Sequence, residues 1–209
     1  MFFDKPAGHH TNIDWRFQAH RCTNQQITRN TMAPAYKESA FYPIFLSELR
    51  EMFWVEEKIS SVLRRFQDAV KSPDFARILR QGRTHAFEHT NRVRGLFESL
   101  EEPAEGAKSA AIERWAQDME QVVADQAANE NTADLTIMIA AQKAGRYKIA
   151  CYENLITLSQ ILAAESVEKV LEGNIIDDAG TDLLLRELSE RYIHKEAVLR
   201  KGSLPSLAE

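Results

Sequence analysis

From about residue 41 onward, apolar side chains recur at three- and four-residue steps, the spacing of helices that bury one face. Leu49, Met52, Phe53, Glu56, Ile59, Leu63, Phe66 and Val70 form the first stripe. Lys71-Ser72-Pro73-Asp74 then breaks the pattern, with Ser72 placed as an N-cap and Pro73 at the first helical position. A second stripe runs through Phe75, Ile78, Leu79, Gly82, His85, Ala86, His89, Val93, Leu96, Phe97 and Leu100, and stops at Glu101-Glu102-Pro103. Residues 104 to 131 make a long connection with a short helix of its own around Ile112 to Ala127, carrying Trp115, Met119, Val122 and Val123 on one side. Thr132 and Asp134 are placed to cap a third long helix, whose stripe reads Leu135, Met138, Ile139, Gln142, Gly145, Ile149, Tyr152 and Ile156. After a turn around Ala163 to Ser166, the last stripe is Val167, Val170, Leu171, Asn174, Ile175, Asp178, Asp182, Leu185, Leu188 and Tyr192.

These stripes predict long helices at about 41–70, 73–101, 132–162 and 166–200. Short connectors within each pair and one long crossover between pairs describe two antiparallel hairpins. That is the all-α, ferritin-like four-helix bundle. No segment has a strand period, and no glycine-rich phosphate loop, CxxC pair or G-x-S-x-G is present. Residues 1–38 lack a lasting period and read as a partly ordered N-terminal arm, 39–201 as the bundle and 202–209 as a loose tail.

Each of the four long stripes is interrupted near its middle: by Glu56, by His85 and His89, by Gly145, and by Asp178 with Asp182. A carboxylate or imidazole facing a core is costly unless it is paired or bound to a metal. His85 and His89 are four residues apart, which puts their Cβ atoms about 6 Å apart on one helix face, a spacing that can grip one ion. Asp178 and Asp182 repeat that spacing with carboxylates, and Glu56 adds a fifth donor. The mixed nitrogen and oxygen set suits a single iron, manganese or zinc ion. The same side chains can instead pair across the bundle as a metal-free hydrogen-bonded network.

Composition narrows the setting. The chain has 209 residues, 44% of them hydrophobic, enough for one sizeable core. A formal net charge of −5 gives nucleic-acid binding no electrostatic support. No apolar run reaches the roughly 18 to 20 residues of a membrane helix, and the N-terminus lacks a secretory layout. Cys22 and Cys151 are the only cysteines, which suits a reducing, cytoplasmic setting. The arm is formally positive, with Lys5, Arg16, Arg21, Arg29 and Lys37 against Asp4, Asp14 and Glu38. Its charge and its aromatics mark it as a candidate element for a protein partner. His9, His10 and His20 within it read as solvated histidines.

Leu49-Arg50-Glu51-Met52-Phe53-Trp54-Val55-Glu56-Glu57-Lys58-Ile59 resembles the L-x-D-x-Y-x-A-E-x-Q-L opening of the bacterial YciE/YciF-type ferritin-like proteins. Ala140-Ala141-Gln142-Lys143-Ala144-Gly145-Arg146-Tyr147-Lys148-Ile149-Ala150-Cys151-Tyr152 is similar to that family's A-A-Q-x-x-E-x-Y-E-I-A-x-Y. The resemblance covers about 41 to 190 and implies stress-associated, ferritin-like dimers with a candidate di-metal centre. Glu56 and His89 match family positions, and Asp182 keeps an aspartate. His85 and Gly145 each stand where the family has a glutamate, Lys148 replaces another, and Asp178 replaces a fourth. The missing third-helix carboxylate argues against a full di-iron centre, so any bound metal is expected to be single and weak. Lys148 is expected to be solvated, because lysine is seldom buried. The alternative is that its ammonium stands in a cation's place beside Glu56 or an aspartate.

Two functional readings follow. One is a metal-binding ferritin-like protein, with oxygen or peroxide chemistry conceivable only through the metal and no enzyme class assignable. The other is a metal-free structural or interaction protein acting through its surface and arm. A small-molecule site beside the Gly145 void is a weaker third. A homodimer is expected from the resemblance and from Phe41, Tyr42, Phe45, Trp54 and Phe87, which lie off the inner stripes.

Overall fold

The computed structural model describes residues 35–124 and 133–202, with side chains up to residue 192. Five helices follow a 3-10 turn at Ala35–Glu38: α1 (Tyr42–Ala69), α2 (Pro73–Leu100), α3 (Ala110–Ala124), α4 (Ala133–Ile161) and α5 (Glu165–Gly202). No strand occurs among the described residues. α1 and α2 form one hairpin, α4 and α5 the other, and the hairpins meet through α2 against α5 and α1 against α4. This is a ferritin-like bundle with the crossover between α2 and α4, and α3 lies within that crossover, as the connector lengths predict. No described helix is long and apolar enough to cross a membrane.

Local chemistry sets the joints. Ser72 caps α2 by accepting from the Phe75 amide at 3.3 Å, with Pro73 at the first helical position. α2 ends where Glu101 adopts φ 57, a left-handed conformation whose amide turns back to the Glu98 and Phe97 carbonyls. The crossover is pinned against α1 by the Ala107 amide, which donates to the Arg50 carbonyl at 2.9 Å. A Cβ at Gly106 would sit 3.0 Å from that of Trp54, so only glycine lets the strap approach so closely.

The α1 and α2 stripes are buried as predicted, from Leu49 to Phe66 and from Phe75 to Leu100, apart from half-buried His85. α1 buries more than one stripe: Val55 and Val62 are also inside, because α3 packs on α1 and covers a second face. Trp115 of α3 meets Phe66 edge-on at 6.1 Å.

α4 departs from the reading of its sequence. Its buried line runs through Ile137, Ala141, Ala144, Lys148, Tyr152, Leu155 and Ser159, one residue earlier than the predicted line at most positions. Ile139 is 44% exposed, and Gln142, Gly145 and Ile149 are only half-buried. The helix is apolar around much of its circumference, so periodicity could not fix its rotation. Ala140, Ala141 and Ala144 lie on the face that it buries against its neighbours. Asp134 also serves differently from the helix cap expected of it. Its carboxylate accepts from the Lys71 amide at 3.0 Å, the Ser72 amide at 2.9 Å and the Tyr192 hydroxyl at 3.1 Å. It thus ties the α1–α2 turn to the start of α4 and the far end of α5. Thr132 and residues 1–34 and 203–209 lie outside the described residues.

Candidate functional site

Four facing helices send polar side chains to one level of the bundle. α1 contributes Glu56, α2 His89, α4 Lys148 and Tyr152, and α5 Asn174 and Asp178, all of them buried. The Lys148 ammonium lies 2.8 Å from Asp178 Oδ1 and 2.9 Å from Glu56 Oε2. The Tyr152 hydroxyl donates to Glu56 Oε1 at 2.6 Å and accepts from Asn174 Nδ2 at 3.0 Å. His89 Nδ1 is 3.1 Å from that same Glu56 Oε1, and its Nε2 is 3.3 Å from Asp177 Oδ2. Arg92 closes the outer end by donating to Asn174 Oδ1 at 2.9 Å and to Asp177 Oδ2 at 2.8 Å.

The charges in this network hold one another. Burial opposes ionisation of Glu56, but the Lys148 charge and the His89 and Tyr152 hydrogen bonds outweigh it and hold the carboxyl below its ordinary range. Burial alone would depress Lys148, yet Asp178 and Glu56 on either side push it above the ordinary lysine value. Asp178 is raised instead: burial, joined by the like charge of Glu56, exceeds what Lys148 returns. Two carboxylates share one ammonium, at nearly equal distances. Tyr152 stays protonated well above the usual phenol range because burial and Glu56 both oppose phenolate.

Glu56, His89 and Asp178 are the three site residues predicted from sequence that the structure gathers. Each offers one ligand atom, and these atoms lie within 4.8 Å of one another. His85 and Asp182 stand outside this group. His85 is half-buried, stacked 6.2 Å from the His89 ring, with Nδ1 3.2 Å from the Thr181 hydroxyl. Asp182 turns to Arg146, whose Nε is 3.3 Å from Oδ1. Gly145 lines the edge of a cavity of about 30 Å³ with Lys148, Asp178, Thr181 and Asp182. A Cβ built on Gly145 meets nothing within 4 Å. Lys148 is the plain correction: expected in solvent, it is only 3% exposed and forms the centre of the network. The rotation of α4 carries it inward and moves Gly145 to the rim.

The sequence reading did not single out Tyr152 or Asn174 as polar contributors, although both lie on its stripes. It missed Asp177 and Arg92 altogether. Asp177 precedes Asp178, and nothing in the pattern tells that its carboxylate reaches the second imidazole nitrogen of His89. Tyr152→Phe removes the 2.6 Å donor to a buried carboxylate. It should lower the unfolding free energy by about 1.5–3 kcal/mol in urea titrations, the range for hydrogen bonds to charged groups. A loss under about 0.5 kcal/mol would mean that Glu56 finds another donor.

The donor set does not fit a di-metal centre. The third long helix offers an ammonium, a phenol and a glycine where a second carboxylate-rich half is needed. Two of the three remaining donors, Glu56 and Asp178, already hold a positive charge between them.

The arrangement defines a ferritin-like bundle with a polar centre, and comparison with known proteins agrees on the fold. Residues 41–198 match the family model described as a domain of unknown function, DUF892. The chain belongs to that family, the YciE/YciF type. It is 24% identical to Protein YciF of Escherichia coli strain K12 over 162 residues, 74% of this chain and 93% of YciF. The crystal structure of the E. coli stress protein YciF superposes with a TM-score of 0.70 at 20% identity, covering 75% of this chain and 99% of that one. YcfI of Rhodopseudomonas palustris, for which a structural role is suggested, matches with a TM-score of 0.64 at 21% identity, over 71% and 94% of the two chains.

Proposed function

We propose that this chain is a metal-independent member of its family, in which Lys148 holds the bundle centre and the protein acts through its surface as a structural or interaction protein. The observation that carries this reading is the ammonium 2.8 and 2.9 Å from Asp178 and Glu56. A dication among Glu56, His89 and Asp178 would meet that ammonium at close range. At 4 Å and an effective dielectric of about 20, a unit charge and a dication repel by about 8 kcal/mol. Three donors must overcome that repulsion before any net binding. The charge that a ferritin-like centre takes from metal is supplied here by a side chain. A homodimer and a stress-associated role accompany this reading through the family resemblance, and a cytoplasmic setting through the cysteine usage.

One observation favours the second reading, a single iron, manganese or zinc ion. Asp178 Oδ2 is buried with no hydrogen-bond partner among the described residues, and His89 Nδ1 lies 3.9 Å from it. An ion drawn to that oxygen would have to displace Lys148.

Elemental analysis separates the two. Protein purified without added metal, then incubated with Fe(II), Mn(II) or Zn(II) and desalted, is expected to carry well below one ion per chain. Gly145→Glu adds a carboxylate into open space, but alone should leave metal content low because Lys148 remains. Gly145→Glu combined with Lys148→Ala is expected to bind. Stoichiometric metal in the parent protein would overturn the metal-independent reading.

A further inference from the structure

The aromatic residues that suggested a dimer surface largely serve the chain's own core: Tyr42 and Phe45 are buried, and Trp54 is half-buried under the crossover. Phe41 and Phe87 stay exposed, and another open apolar line lies on α5. On α5, directly away from Asp178, Lys169, Gly173, Ile176, Gly180, Leu183 and Glu187 follow one another at alternating four- and three-residue steps. That is the heptad spacing of a helix that pairs with another helix. Ile176 is 65% and Leu183 43% exposed. Gly173 and Gly180 have nothing within 4 Å of a built Cβ, so nothing within the bundle requires a glycine at either position. Each costs its helix about 1 kcal/mol relative to alanine. Lys169 and Glu187, at the two ends, make no ion pair among the described residues.

Read backwards, this line complements itself. Set antiparallel against its own copy, Lys169 meets Glu187, Gly173 meets Leu183 and Ile176 meets Gly180. Each pairing then occurs twice about a two-fold axis. Both large side chains enter gaps that the glycines leave open, and opposite charges close both ends. Set parallel, lysine would face lysine, glutamate would face glutamate, and the glycine pairs would leave voids. The line spans about 27 Å of helix at 1.5 Å per residue.

We propose that a second copy of this chain docks antiparallel on the outer face of α5, with Ile176 and Leu183 seated over the glycines of the partner. The proposal rests on the homodimer reading for the existence of a second copy, and adds the surface and direction of pairing.

The test is the dissociation constant of the full chain by sedimentation equilibrium, with helicity followed by circular dichroism. All the substituted positions are on the outer helix face, so the fold should survive. Ile176→Glu should weaken the dimer by about 100-fold or more, the effect of losing a central anchor. Lys169→Glu and Glu187→Lys should each weaken it several-fold, about what a pair of rim ion pairs contributes. The double variant should return toward the parent value. A parent chain that is monomeric at every concentration overturns the homodimer reading and this one together. A parent dimer indifferent to Ile176→Glu keeps the dimer and overturns this face. Failure of the double reversal to restore affinity overturns the antiparallel pairing.

Discussion

Lys148→Met should lower the unfolding free energy by about 3–5 kcal/mol, the cost of removing one partner from a buried ion cluster. Methionine matches the volume, so the loss reports charge rather than a cavity. Glu56 and Asp178 are left together in the interior with His89 as their remaining cationic candidate, and one carboxyl is expected to take up a proton. The stability maximum of the variant should therefore move toward acid. The alkaline limb gives an independent check. Lys148 is raised in the folded protein, so its contribution is complete below the ordinary value of 10.5 and is lost as pH rises through the higher folded value. Tyr152, raised above 10.0, also costs stability once the unfolded phenol ionises. Of these two groups, both should cost the parent stability above about pH 10 and Tyr152 alone the variant, while Tyr42 and Tyr147, also raised, act equally in the two proteins. Added Mn(II) or Zn(II) should raise the Tm of Lys148→Met while leaving that of the parent unchanged. Equal metal responses in the two proteins would show that the ammonium does not guard the site.

Asp134→Ala should cost about 2–4 kcal/mol. The carboxylate accepts two backbone amides from the α1–α2 turn and a phenol from α5, and hydrogen bonds to charged groups contribute about 1.5–3 kcal/mol each before compensation by water. The loss should be local as well as global. Amide exchange at Lys71 and Ser72 is expected to accelerate more than exchange in the middle of α1 or α2, because those amides lose their acceptor outright. Asp134→Asn keeps one acceptor oxygen and should lose less. Were the Lys71 and Ser72 amides equally protected in Asp134→Ala, the latch would lie elsewhere.

Much of the architecture was legible because the signals were local. Ser72 and Pro73 mark the first turn, Glu101 to Pro103 the end of α2, and connector lengths alone distinguish the hairpins from the crossover. α1 and α2 have polar outer faces, so their stripes fixed which way each helix turns. Glu56 and His89 were legible for the same reason, as polar breaks in well-defined stripes.

α4 shows where that legibility ends. Its apolar residues surround the helix, and stripes one residue apart are nearly equivalent when read from sequence. The choice between them is made by contacts with the neighbouring helices, which bury the face carrying Ala140, Ala141 and Ala144. That rotation decided whether Lys148 sat in water or between Glu56 and Asp178, and so decided the character of the centre. The sequence by itself determined the helices, their order and the presence of polar residues at mid-bundle, since these depend on spacing and capping along the chain. Only the tertiary structure decided that an ammonium sits at the centre, and that Asp177, Tyr152, Asn174 and Arg92 complete its network. Those contacts join residues from different helices, and their distances depend on packing that no single stripe records.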